Sequence, residues 1–111
     1  MKGNGFFNGK LILLINENTF SAANLFAGVI KKYKIGELIG EKTKGGIGVP
    51  FAFVLRDNSI VFIPVVSIYI GEDKENFSNG VESTIYEKDE VINGKDEILG
   101  KTLKKYIKKI Q

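Results

Sequence analysis

The stretch GKLILLINENTFSAANLFAGVIKKYKIGELIG, residues 9–40, changes its hydrophobic period twice and thereby predicts the fold class. Its first part, Gly9 to Asn16, is continuously apolar, which is typical of a strand buried on both faces of a sheet. Apolar residues then recur at helical spacing, at Ala22, Leu25, Phe26, Val29, Ile30 and Tyr33. A second short apolar run, Ile35 to Gly40, is typical of another strand. Together these parts predict a βαβ unit with a right-handed crossover.

The sequence beyond Gly48 predicts a β-hairpin. Two apolar runs, Val49 to Leu55 and Ser59 to Pro64, flank the turn residues RDN. Pro64 indicates an edge position or a bulge, because proline cannot donate a hydrogen bond to a neighbouring strand. The segment Val65 to Ile70 either extends the second strand or begins another.

The last part of the chain predicts a short strand, VESTIY, and a C-terminal helix. Asp96 is the candidate N-cap of that helix. Its apolar stripe consists of Ile98, Leu99, Leu103, Tyr106, Ile107 and Ile110. The sequence therefore predicts an α/β fold: a mixed sheet with a βαβ unit, a β-hairpin and a C-terminal helix, in one domain over residues 1–111.

Composition excludes several classes of function. The chain has 111 residues with 43% hydrophobic content, enough for one core. It has no cysteine and no histidine. Disulfides and cysteine nucleophiles are thus excluded, and we predict neither a metal site nor a cofactor. The net charge of +3 is too small to indicate nucleic-acid binding. No apolar run reaches membrane-spanning length.

Ser21 stands where the predicted strand gives way to the helix, and it has two interpretations. The favoured one from local pattern alone is an N-cap, whose hydroxyl accepts a hydrogen bond from a backbone N–H of the first turn. The other is a nucleophile, which needs a fixed hydroxyl, a donor for the oxyanion and a base. A sharp strand-to-helix turn fixes the hydroxyl, and the amide of Ala22 is a candidate oxyanion donor. The G-x-S-x-G pattern is absent.

The order of motifs resembles the tail-specific, or C-terminal processing, serine peptidases, the family that includes tricorn protease. That family has an apolar strand, Ser-Ala-x-Glu, a helix, and then Gly-Glu-x-Thr before a glycine-rich loop. Here the corresponding motifs are SAAN (Ser21–Asn24) and GEKTKGG (Gly40–Gly46). NGVESTI (Asn79–Ile85) resembles the Gly-Val-x-Pro-Asp-Ile segment, and NGKDEIL (Asn93–Leu99) resembles the lead into the last helix. The resemblance covers residues 9 to 110. It implies a partial ClpP/crotonase-like core with Ser21 as nucleophile and Ala22 as oxyanion donor.

The resemblance leaves the general base open. One branch of the family uses a Ser–Lys dyad, whose lysine aligns with Gly46, so Lys44, two residues earlier, is a weak candidate base. The tricorn-like branch has paired glycines in this loop and takes its base from an upstream histidine, and the TKGG of this chain fits that branch better. That branch also uses a glutamate near the Gly-Val segment, for which Glu75 is weakly favoured over Glu82.

The implied function is that of a serine endopeptidase acting through an acyl-enzyme on a peptide or protein substrate. The chain would be the C-terminal part of a catalytic domain and inactive alone, because the base is missing. The family is often exported, which the absence of cysteine permits; compartment and oligomeric state stay open. One alternative is a catalytically silent relative that binds peptides. A second is a crotonase-like core with acyl-group chemistry. A third, a nucleic-acid module, rests only on the lysine clusters at residues 31–34 and 101–109.

Overall fold

The computed structural model describes residues 5–107, which form a parallel sheet, two helices and two hairpins. The elements in chain order are β1 (Leu11–Ile15), α1 (Ala22–Lys32), β2 (Gly36–Gly40), β3 (Val49–Val54), β4 (Ile60–Val66), β5 (Ile85–Tyr86), β6 (Val91–Ile92), β7 (Lys95–Asp96) and α2 (Glu97–Ile107). This confirms the α/β class, the βαβ unit, the hairpin and the C-terminal helix. Within residues 5–107 the parallel strands and the antiparallel hairpins form separate sheets, whereas the sequence predicted one mixed sheet.

The central sheet has the strand order β1-β2-β5, and all of its pairs are parallel. Leu11 lies opposite Gly36, and Ile15 lies opposite Gly40. Four of the five β1 residues are only partly buried, so the expectation of a strand buried on both faces is wrong for the described residues. The reason is the position of β1 at an edge of the described sheet.

The sheet separates two small cores, and β2 contributes to both. Leu38 packs on the α1 side with Ile15, Ala27, Ile30 and Val81. Ile39 packs on the opposite side with Ile98 and Tyr106 of α2. Successive strand residues point to opposite faces, which is why two neighbours in β2 serve different cores.

The buried face of α1 differs from the predicted apolar stripe. It consists of Asn24, Ala27, Gly28 and Ile30, whereas Phe26 and Tyr33 are more than half exposed. The helix approaches the Phe77 ring so closely that a Cβ on Gly28 would lie 2.7 Å from a ring carbon. Ile30 of the predicted stripe is therefore buried as expected, whereas small or polar residues occupy the rest of the buried face and both aromatic residues are largely exposed.

The long hairpin formed by β3 and β4 is exposed at every residue of both strands. The predicted turn is present, with a hydrogen bond from the Leu55 N–H to the Ser59 carbonyl at 2.8 Å. The register shifts between Val49 and Pro50, and Pro50 lies opposite Pro64. The irregularity predicted from Pro64 is thus found, and β4 continues through Pro64 to Val66.

The C-terminal helix begins as predicted, since Asp96 accepts a hydrogen bond from the Leu99 N–H at 2.9 Å. A short hairpin, β6–β7, precedes it and was not predicted. The buried residues of α2 are Ile98, Thr102 and Tyr106. Three members of the expected stripe are instead exposed, namely Leu99, Leu103 and Ile107, and Ile110 lies outside the described residues. Neither α1 nor α2, the helices of residues 5–107, is long and apolar enough to cross a membrane.

Candidate active site

Ser21 occupies a strained turn between β1 and α1. Its backbone angles are φ 56° and ψ −123°, a combination that costs a residue with a Cβ about 1–3 kcal/mol. Its carbonyl accepts the Leu25 N–H at 2.9 Å, so the residue stands at the N-cap position. The hydroxyl, however, makes no capping hydrogen bond. The expected use of the side chain as a cap is therefore wrong, and the hydroxyl is left available for chemistry.

The glycine-rich loop after β2 holds this turn in place. The Ser21 N–H donates to the Gly45 carbonyl at 3.0 Å, and the Lys44 N–H donates to the Thr19 carbonyl at 2.9 Å. Gly45 has φ +94°, and a Cβ there would lie 2.1 Å from the Ser78 carbonyl oxygen. Gly46 has φ +74°, so a lysine at that position would be strained. The loop conformation thus requires glycine at position 45 and favours it at position 46.

The N-terminus of α1 presents backbone donors beside the Ser21 hydroxyl. Ala22 is the first residue of the helix, and its N–H has no hydrogen-bond acceptor among residues 5–107. The first turn contains no acidic side chain that would compete for the positive end of the helix dipole. An oxyanion that forms next to Ser21 would find a donor in this amide.

Two cavities border Ser21, and both are lined mainly by apolar groups. The larger, about 310 Å³, is bounded by Phe20, Ser21, Gly46, Ile47, Gly48, Pro50, Pro64 and Ser78. The smaller, about 200 Å³, is bounded by Ser21, Ala22, Leu25, Ile47, Gly48, Val49 and Ile68. Ser21, Ile47 and Gly48 belong to both linings. The hydroxyl-bearing turn therefore lies between two spaces that can each receive a side chain.

The three charged candidates lie at different distances from this turn. The Glu75 carboxylate is 2.9 Å from the Lys32 ammonium, at the C-terminal end of α1. Ser21 is at the other end of the 11-residue helix, roughly 15 Å away along its axis. Glu82 pairs with Lys42 at 3.3 Å. The main chain of Lys44 lies beside the Ser21 turn, and its side chain is exposed.

The acidic partners of Lys32 account for its titration. The carboxylate of Asp73 contributes most, followed by that of Glu75, and together they raise the pKa of Lys32. Lys32 in turn lowers the pKa of Asp73. Glu75 therefore belongs to a structural ion-pair cluster at the far end of the helix. The structure brings Ser21, Ala22 and the Lys44 backbone together and leaves Glu75 apart.

A buried polar pair behind Ser21 was not predicted. The Thr43 hydroxyl donates to Asn24 Oδ1 at 2.5 Å, and the two residues are 3% and 0% exposed. From sequence, Asn24 stood out only as a departure from the glutamate of the family motif. The sequence signal that could have indicated this pair is a polar residue at an inward position of the helix, together with the threonine of GEKT. Within residues 5–107, no group of acidic side chains is arranged to hold a metal ion.

The sequence matches a known protein family. The sequence model of peptidase family S41 matches residues 2–86. A Sulfurisphaera tokodaii protein described as a tricorn-like protease C-terminal subunit is 32% identical over 93% of the chain. The chain spans only 13% of that relative.

Two solved structures share the fold. The crystal structure of tricorn protease matches 91% of this chain and 10% of its own with a TM-score of 0.75 and 24% identity. The photosystem II D1 C-terminal processing protease matches 86% of this chain and 25% of its own, with a TM-score of 0.63 and 28% identity. Both structures support the α/β fold of the chain, in which the end of β1 leads into the Ser21 turn.

Proposed function

The chain belongs to peptidase family S41, and from that premise we propose that Ser21 is the nucleophile of a serine-type peptidase. In the full-length protein, its hydroxyl oxygen attacks a peptide carbonyl, and the amine leaves with a proton as the acyl-enzyme forms. Water then hydrolyses the ester and regenerates the hydroxyl. The observation that carries the proposal is the backbone of Ser21, held at φ 56° with its hydroxyl not used as a cap.

A strained residue supports a functional role because selection for stability alone would favour glycine at such a position. The turn also aligns two groups needed for acyl transfer. Ser21 supplies the attacking oxygen, and the Ala22 N–H at the positive end of α1 stabilises the oxyanion. A nucleophile on a sharp strand-to-helix turn is the mechanical arrangement that α/β-hydrolases also use.

The general base comes from one of two sources. The 111 residues contain no histidine, so a histidine base would be supplied by the full-length protein outside them. Lys44 is the other candidate, and it would have to lose its proton near neutral pH, which requires desolvation. Its exposed side chain favours the first source. Glu75, paired with Lys32 at 2.9 Å, is better suited to hold the end of α1.

The two cavities suggest the class of substrate. An extended peptide crossing Ser21 would place the side chains on either side of the scissile bond into separate spaces. Leu25, Val49 and Ile68 border one of them, and Phe20, Pro50 and Pro64 border the other. Apolar walls bind apolar side chains because burial removes their surface from water. The proposed substrate is therefore a peptide segment with apolar residues at the cleavage point.

A fluorophosphonate probe on the full-length protein tests the nucleophile. We expect covalent labelling of the wild type, loss of labelling in Ser21→Ala, and unchanged labelling in Ser59→Ala, whose serine lies in the exposed hairpin turn. Peptide cleavage should follow the same pattern. Labelling that persists in Ser21→Ala would overturn the assignment.

The second candidate function is that of a catalytically silent, peptide-binding relative. The absence of histidine and the glycine at position 46 favour it, because each leaves the chain without one of the bases that the family uses. A wild-type protein that binds apolar peptides but takes up no probe would support this second function.

A further inference from the structure

Asn24 and Thr43 form a buried polar link whose geometry is complementary at every contact. The Thr43 hydroxyl donates to Asn24 Oδ1 at 2.5 Å and accepts the Val81 N–H at 2.6 Å. The Asn24 amide nitrogen donates to the Phe77 carbonyl at 2.9 Å. Asparagine is suited to position 24 because its side-chain amide has both an oxygen that accepts and a nitrogen that donates hydrogen bonds. We call the two side chains and these two main-chain groups the polar clamp.

The polar clamp joins three segments that meet behind Ser21. Asn24 lies in the first turn of α1, three residues after Ser21, and Thr43 begins the glycine-rich loop. The loop is further tied to the 77–81 segment by hydrogen bonds from Thr43 N–H to the Val81 carbonyl at 3.1 Å and from Gly46 N–H to the Ser78 carbonyl at 2.9 Å.

The loop held by the polar clamp supplies the contact that fixes Ser21. The Gly45 carbonyl, two residues after Thr43, accepts the Ser21 N–H at 3.0 Å. A residue keeps a sparsely populated φ, ψ pair only when its surroundings over-determine it. A shift of the loop would release the Ser21 N–H and let the turn relax, which would re-aim the hydroxyl relative to the Ala22 amide.

We propose that Asn24 and Thr43 are positioning residues that hold Ser21 in its reactive conformation. The inference rests on the proposed function of Ser21. Neither side chain lines the two cavities that border Ser21, so their effect is exerted through the loop. Loss of the clamp should slow the chemistry at Ser21 in protein that remains folded, since small misplacements of a nucleophile have large effects on rate.

The first test measures the rate of fluorophosphonate labelling at Ser21 in the full-length protein, well below the melting temperature of each variant. Thr43→Val keeps the shape of the side chain and removes the hydroxyl, and we expect labelling to slow about tenfold or more. Thr43→Ser restores the hydroxyl and should recover most of the rate. Thr102→Val is the matched control, because Thr102 is also buried and its hydroxyl has no partner in the described part of the chain.

The second test uses Asn24→Asp, which stays informative if Thr43→Val fails to fold. Only a protonated carboxyl at position 24 can donate to the Phe77 carbonyl, and burial raises the pKa of a carboxyl. The labelling rate of Asn24→Asp, divided by that of the wild type at each pH, should therefore rise as the pH falls.

The outcomes separate the two proposals. Slow labelling of folded Thr43→Val, or a ratio for Asn24→Asp that rises toward low pH, supports the positioning role. Wild-type rates in folded Thr43→Val, or a ratio that is flat with pH, overturn the positioning role while leaving Ser21 as nucleophile. A wild-type protein that takes up no probe overturns both, because no reactive serine would then exist to position.

Discussion

At the scale of single residues, the site is built from positions where backbone conformation decides residue type. Ser21, Gly45 and Gly46 all have positive φ, and only the first carries a side chain. Glycine is the residue expected on grounds of stability at each of them. Serine at position 21 is thus a local conflict between stability and the proposed chemistry, of a kind that is common at functional sites.

The conflict at Ser21 predicts that glycine there stabilises the protein. Ser21→Gly relieves about 1–3 kcal/mol of strain and costs about 0.5–1 kcal/mol through the freer unfolded chain, so the free energy of unfolding should rise by about 1 kcal/mol. Ser67→Gly, at a serine without positive φ, should lower it. Urea unfolding of both variants measures the difference. A Ser21→Gly variant less stable than the wild type would contradict the strain.

The conformation of Gly45 predicts that even alanine is not tolerated there. A Cβ would lie 2.1 Å from the Ser78 oxygen and 2.7 Å from the Gly80 nitrogen, both main-chain atoms. Gly94 has a similar φ of +73° with nothing within 4 Å of the added Cβ. Gly94→Ala should therefore lose only about 1–2 kcal/mol of stability.

Gly45→Ala adds the overlap with the main chain to the same strain, and we expect it to lose about 2 kcal/mol more than Gly94→Ala. Denaturant titration of both variants estimates the steric contribution to the loss of stability, because both positions have a positive φ and only Gly45 has main-chain atoms within 3 Å of the added Cβ. Equal losses would show that the loop moves aside without cost.

At the scale of elements, the sequence was sufficient to predict a helix or strand where its hydrophobic pattern runs over several residues. The period change across residues 9–40 predicted β1, α1 and β2, and the turn after Leu55 predicted the long hairpin. The two-residue strands β6 and β7 were missed because they are too short to show a period. The buried face of α1 differs from the predicted apolar stripe because hydrogen bonds satisfy the polar side chain of Asn24 and allow it to lie in the core.

The docking of α2 against the sheet predicts a pH dependence of stability. Glu37 of β2 accepts a hydrogen bond from the Tyr106 hydroxyl and lies 2.8 Å from the Lys10 ammonium. Lys10 first, and then Tyr106, lower the pKa of Glu37. A lowered folded-state pKa means that this stabilisation is complete above the unfolded pKa of a glutamate. It is lost as the pH falls through the folded value.

Thermal melts of the wild type and Glu37→Gln between neutral and acid pH test this expectation. The wild type should melt at the higher temperature at neutral pH, and the gap should close as the solution becomes acidic. Glu17→Gln, at an exposed glutamate outside the contact, is the control and should show no such convergence. A gap that stays constant with pH would remove Glu37 as its source.

At the scale of the whole molecule, the described chain is less compact than a typical domain of its size. Its radius of gyration is 17.6 Å, against about 13 Å expected for a compact domain of this length. Both strands of the long hairpin are exposed at every residue, in keeping with this open arrangement. The proposed chemistry is divided as well: the candidate nucleophile Ser21 and the candidate oxyanion donor Ala22 are in the chain, and histidine is not. Sequence predicted this division because composition alone shows that histidine is absent, whereas the cavities and the polar clamp depend on contacts between distant segments.

The exposure of the long hairpin leads to a prediction about the solubility and stability of the 111-residue chain. Phe62 is 68% exposed in β4, whereas Leu38 is fully buried in β2. Phe62→Thr keeps a residue suited to strands and removes apolar surface from contact with water, so solubility should rise while the free energy of unfolding changes by less than about 0.5 kcal/mol. Leu38→Ala should lose about 2–5 kcal/mol. Solubility assays and urea unfolding measure both effects. If Phe62→Thr were as destabilising as Leu38→Ala, the hairpin would have to be covered in solution, and the open arrangement of the molecule would be wrong.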